Sequence, residues 1–99
     1  MEQPLLVLVR YQVRPGCRDA FLSRMLAAGI PSASRAERGN LRYECLIPAE
    51  TENEICLLEV WETKAAQQAH QLTPHYQALS ALKQEYLTDV QIELHRLSE

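Results

Sequence analysis

Residues Glu59 to Tyr76, EVWETKAAQQAHQLTPHY, decide how this chain is put together. Glu59, Val60 and Trp61 end an apolar, strand-like run, and Thr63 is placed to cap a short helix over Lys64 to Gln71. Thr73 then caps a second helix with Pro74 at its first position, where a missing amide hydrogen costs nothing. A strand, a short helix and a longer helix therefore meet within a few turns. The same stretch holds the only tryptophan and two of the three histidines, His70 and His75, so chemistry is expected here.

Working outward, Leu41 to Ile47 and Ile55 to Trp61 read as two strands joined by the acidic loop Pro48 to Glu54, a hairpin. A register symmetric about that loop sets Cys45 opposite Cys56 and Tyr43 opposite Leu58, with a disulfide across the pair not favoured. Leu5 to Val13 is a further strand that stops at Pro15-Gly16. Leu5, Val7, Val9, Tyr11 and Val13 share one side of it, and the other side is apolar only at Leu6 and Leu8. From Cys17 to Arg38, Phe21, Met25 and Ala28 recur at helical spacing, and Gly29 and Pro31 predict a break near Ile30. Gly39 suits the position of positive φ beyond the helix end. Ala78, Leu79, Leu82 and Tyr86 give the second helix its apolar stripe, and Val90, Ile92 and Leu94 alternate with polar residues as a last strand.

The order strand, helix, strand, strand, helix pair, strand is that of a ferredoxin-like α+β fold, a split βαβ arrangement with an antiparallel sheet. One domain over residues 1–99 is expected. Helices cover one face of such a sheet only. The apolar second faces of the first and third strands call for another cover, and a second copy of the same sheet supplies it, which predicts a homodimer in the form of a dimeric α+β barrel.

Composition narrows the partners. A net charge of -3 without a basic run argues against nucleic acid. The longest apolar run, Leu5 to Val9, is too short to span a bilayer, so no membrane is expected. The first residues lack the basic start of a secretory signal, and three cysteines without metal-ligand spacing read as reduced thiols, which together predict a cytoplasmic protein. No glycine-rich phosphate loop, Cys-x-x-Cys or His-x-x-x-His occurs, so the sequence offers no support for nucleotide, zinc or non-haem iron chemistry. No metal and no cofactor are expected.

Three residues are candidates for catalysis. His70 and His75 lie five apart across the break before Pro74, and the capped restart can turn both toward one cleft, where an imidazole is the natural proton acceptor near neutral pH. The alternative is a packed His70 and an exposed His75. Glu59 shares a strand face with Ile55, Leu57 and Trp61, so burial would raise its pKa, unless an arginine such as Arg10 or Arg42 pairs with it. Trp61 offers an aromatic ligand a flat wall and one hydrogen-bond donor, or is simply core. Tyr11, Tyr43 and Tyr76 are candidate substrate contacts, with ordinary packing as the alternative.

The strings Gly39-Asn-Leu-Arg-Tyr43, Glu59-Val-Trp61 and Ala69-His70-Gln-Leu-Thr-Pro-His75-Tyr76 resemble the antibiotic biosynthesis monooxygenase domain family, with similarity from Val7 to about Leu94. The resemblance implies the fold and the dimer. Similar domains include cofactor-free oxygenases of polycyclic phenols and quinols, haem-degrading enzymes, an isomerase of a phosphorylated signal breakdown product, and members without a known reaction. Haem-degrading relatives use an asparagine on the first strand and a histidine in the last helix. Leu5 to Val13 has no asparagine, and Gln77 to Tyr86 has no histidine. The resemblance therefore favours a monooxygenase that uses His70 to deprotonate a small aromatic phenol or hydroquinone for reaction with dioxygen. An isomerase using the same histidines on a small carbonyl substrate, and a binding or stress-associated dimer without turnover, are the alternatives.

Overall fold

A computed structural model describes residues 2–98. Eight elements follow in order: β1 (Leu5–Val13), α1 (Arg18–Ala27), α2 (Ile30–Arg35), β2 (Asn40–Leu46), β3 (Glu54–Trp61), α3 (Lys64–His70), α4 (Pro74–Tyr86) and β4 (Leu87–Arg96). The strands form one antiparallel sheet in the order β2-β3-β1-β4. This is the α+β, ferredoxin-like arrangement that the sequence predicts.

Alternation along β1 turns Leu5, Val7, Val9, Tyr11 and Val13 toward the helices, and all five are buried. They form the core with Phe21 and Met25 of α1, Ile30 of α2, Tyr43, Ile55, Leu57, Trp61 and, from α4, Leu79 and Leu82. The break expected near Ile30 falls at Gly29, whose φ of 70° lets α2 start in a new direction with Pro31 in its first turn.

The hairpin register departs from symmetry. Asn40 pairs with Trp61, but a bulge at Leu41 shifts the rest by one, so Tyr43 faces Glu59, Cys45 faces Leu57 and Leu46 faces Cys56. Asn40 Nδ2 bridges the bulge by donating to the Arg42 carbonyl at 3.1 Å. A one-residue slip exchanges the two faces of a strand. The observed register buries Tyr43 under the helices and leaves Arg42 and Glu44 on the opposite face. The symmetric one would bury those charges instead. It also separates Cys45 from Cys56, and all three cysteines are free thiols.

Gly39 brings the loop after α2 against α3. Its φ is 87°, and a Cβ there would lie 2.6 Å from the Ala66 Cβ. Gly39→Ala meets both a left-handed backbone and this clash, so an unfolding free energy lowered by roughly 2–4 kcal/mol is expected in a denaturant titration.

The helices reach across β2, β3 and β1 but not β4. Val90, Ile92 and Leu94 oppose Tyr11, Val9 and Val7 and share their face, yet Ile92 and Leu94 are 61% and 58% exposed. On the other face Leu6, Leu8, Leu58 and Val60 are half-buried at the centre of the sheet, with no helix on that side among the described residues. No described helix is long and apolar enough to cross a membrane.

Candidate active site

Between the sheet and the pair α3/α4 lies a cavity of about 230 Å³. Val7, Val9 and Leu79 give it apolar walls, and Tyr11, Glu59, His70, Tyr76 and Lys83 bring polar groups to it. Ile92 and Leu94 of the uncovered β4 stand at its open side. A cavity of about 150 Å³ holds a benzene ring, so this one suits a substituted single ring. The loop groove at Pro15, Arg18 and Asn53 brings no aromatic ring or imidazole together.

His70 ends α3 and is 2% exposed. Thr73 fixes the backbone there: its hydroxyl donates to the His70 carbonyl at 2.8 Å and accepts from the Tyr76 amide at 3.2 Å, tying the end of α3 to the start of α4. Three aromatic rings confine the imidazole, Trp61 at 4.8 Å between centroids, Tyr76 at 5.2 Å and Tyr43 at 5.9 Å. His70 Nδ1 lies 2.5 Å from Oε2 of Glu37, and His75 Nε2 lies 2.7 Å from the same oxygen. A carboxylate oxygen accepts, so both nitrogens are N–H donors. In neutral His70 the lone pair is then on Nε2, the tautomer that a base needs.

Glu59 is buried, and its Oε1 accepts the Trp61 indole N–H at 3.0 Å. The arginines that could have neutralised it are engaged elsewhere, Arg10 with Glu54 and Glu93, and Arg42 with Glu44. Burial raises the Glu59 pKa, and the indole bond and the charges of His70 and Lys83 offset this in part. Lys83 is its counterpart. Burial lowers its pKa, and its Nζ lies 4.9 Å from the Tyr76 ring centroid and 5.4 Å from that of Tyr11.

Residues 4–82 match the family model described as antibiotic biosynthesis monooxygenase. The chain belongs to that family. YcnE of Bacillus subtilis (strain 168), a candidate monooxygenase by name, is 36% identical over 85 residues, 85% of this chain and 87% of its own. Among solved structures, PA3566 from Pseudomonas aeruginosa superposes with a TM-score of 0.89 at 26% identity, covering 100% of this chain and 98% of its own. Rv0793 from Mycobacterium tuberculosis gives 0.85 at 28% identity, over 97% and 96%.

Within this antibiotic biosynthesis monooxygenase domain, the residues singled out from sequence divide by position. His70, Glu59, Tyr11 and Tyr76 line one cavity. His75 does not line it; it shares Glu37 with His70, and the two imidazole centroids lie 5.8 Å apart. Trp61 and Tyr43 are fully buried behind the cavity, so the indole backs Glu59 and His70 rather than forming a wall for a ligand. Two residues went unnoticed. Lys83 stands seven positions after Tyr76 and four after Leu79 on α4, a spacing that places all three on one helical face and was readable in advance. Glu37 sits in an irregular turn, Glu37 N donating to Ser34 O and Glu37 O accepting from Asn40 N, and no sequence period marks it. Burial raises the pKa of Cys45 and Cys56, which keeps both thiols protonated and poorly nucleophilic.

Because the Glu59 pKa is raised on folding, its protonated form is the one the fold prefers. The associated stability is full below the unfolded value and is lost as pH rises through the folded value. Glu59→Gln keeps the shape and removes that loss. Its melting temperature is expected to exceed that of the parent at pH 7, with the gain vanishing toward pH 4, as thermal melts across pH would show.

Proposed function

We propose that this chain is a homodimeric monooxygenase that oxidises a small phenol or hydroquinone with dioxygen, His70 acting as the base and neither metal nor flavin being required. The observation that carries this reading is a confined imidazole, held by Glu37 in the tautomer with a free Nε2, on the wall of a ring-sized cavity. Membership of the monooxygenase family supports it.

His70 Nε2 takes the phenolic proton, and Lys83, the cation in the cavity, stabilises the resulting oxyanion. The electron-rich ring then reduces dioxygen, a carbon–oxygen bond forms, and a ring-bound peroxide results. Glu59, protonated more readily than an exposed carboxyl, gives a proton to the departing oxygen, which leaves as water. For a simple hydroquinone the balance is hydroquinone plus O2 to hydroxyquinone plus water, the substrate itself supplying every electron. Val7, Val9 and Leu79 present apolar surface to the anion.

Oxygen consumption with a panel of substituted hydroquinones tests this. Uptake that depends on substrate is expected, and none by correctly folded protein would refute the proposal. Proton exchange from deuterated solvent without oxygen uptake would instead identify an isomerase.

The uncovered centre of the sheet, where Leu8 lies opposite Leu58 beside Leu6 and Val60, supports the dimer. Leu58→Glu places a charge at that centre and is expected to convert a dimer to a monomer in light scattering after size exclusion.

A further inference from the structure

We propose that Glu37, His70 and His75 form a binding site for one divalent ion of the zinc class, ligated by Glu37 Oε2, His70 Nδ1 and His75 Nε2. These three donors lie within 4.8 Å of one another. Two imidazoles and one carboxylate form a donor set that zinc accepts, with water as a fourth ligand. Zinc ligand atoms stand about 2.0–2.2 Å from the ion. The two nitrogens are now held 2.5 and 2.7 Å from one oxygen, and no pair of donors is more than 4.8 Å apart. Tetrahedral ligands at the zinc–ligand distance stand about 3.4 Å apart, so each nitrogen must draw back from the oxygen by under about 1 Å while the widest pair of donors closes by roughly 1–1.5 Å.

The surroundings are those of a prepared site. The donors come from three places brought together by the fold: the turn after α2, the end of α3 and the first turn of α4. His70 is confined by Trp61, Tyr43 and Tyr76, so its donor nitrogen is already aimed. The side chains of Glu37 and His75 are 13% and 16% exposed, which leaves an entry path from solvent. By contrast, the remaining histidine, His95, pairs with Glu93 on an exposed strand, with no further metal-ligating group gathered there among the described residues.

Glu37 and His75 do not line the cavity, so a bound ion stands behind His70 as seen from the substrate. Ligation through Nδ1 forces the imidazole proton onto Nε2. The ion would therefore block His70 as a base and inhibit the oxygenase rather than assist it. The inference does not depend on the oxygenase reading, because binding can be measured without turnover.

Cobalt(II) serves as the optical probe and zinc as its competitor. Titration of the metal-stripped protein is expected to give one Co2+ per chain, with the visible bands of low-coordinate cobalt, displaced by one equivalent of Zn2+. Thiolate ligation would instead show a strong ultraviolet charge-transfer band and would count against the site. Glu37→Gln, which preserves volume, and His75→Ala, at a partly exposed position, should each weaken binding about tenfold or more, whereas His95→Ala should leave it unchanged. Circular dichroism verifies that each variant is folded. Absence of saturable binding by the folded parent, or equal affinity in parent and Glu37→Gln, would overturn the proposal.

Discussion

Replacing His70 by alanine is expected to lower hydroquinone-dependent oxygen consumption by about 10²–10⁴-fold, the usual contribution of a positioned general base. The loss should fall on kcat with KM little changed, because the imidazole acts as the proton leaves rather than as substrate binds. Since His70 is buried among three rings, alanine also leaves a void. His70→Gln fills that space without a base in the neutral range, and an equal loss of kcat in both variants separates the missing base from a disturbed fold. Glu37→Gln provides a graded version. It removes the carboxylate that fixes the His70 tautomer while leaving the ring in place.

The largest structural effect is expected at Trp61. Its side chain is fully buried, packs on His70 and donates to Glu59. Trp61→Ala should lower the unfolding free energy by about 3–5 kcal/mol, through lost transfer energy and the remaining cavity. For a domain of about 100 residues each kcal/mol corresponds to roughly 4–8 °C in Tm, so the variant should melt well below the parent. Trp61→Phe isolates the polar part. It keeps an aromatic ring but leaves Glu59 Oε1 without its donor, for a cost of about 1–3 kcal/mol. Thermal melts followed by circular dichroism give both values, and a Trp61→Phe cost near zero would mean that water replaces the indole N–H.

Much of this was legible in the chain for specific reasons. Thr63, Thr73 and Pro74 carry their own local signals, and the Thr63 and Thr73 hydroxyls cap their helices by accepting from the Ala66 and Tyr76 amides. The period-two pattern of β1 settled its inward face because one face is buried without exception. The hairpin register was not legible, because loop length alone does not reveal a bulge. The decision lay in burying Tyr43 while exposing Arg42 and Glu44, a tertiary effect. For the site, Glu59 could be found because an acid on a strand face with Ile55, Leu57 and Trp61 stands out, and His70 because it and His75 flank the capped restart at Thr73-Pro74. Trp61 could be placed on a face but not aimed, since alternation says which side a ring takes and not whether a cavity reaches it. Glu37 was invisible for a different reason. Its role comes from a turn that Gly39 lets approach α3, and nothing local to it marks that contact.

A single-turnover experiment under 18O2, with metal-stripped protein and a hydroquinone, tests most directly whether the ring itself reduces dioxygen. One labelled atom is expected in the hydroxyquinone and the other in water, with neither transfer catalysed by His70→Gln. Unlabelled product, or label recovered only as hydrogen peroxide, would contradict it.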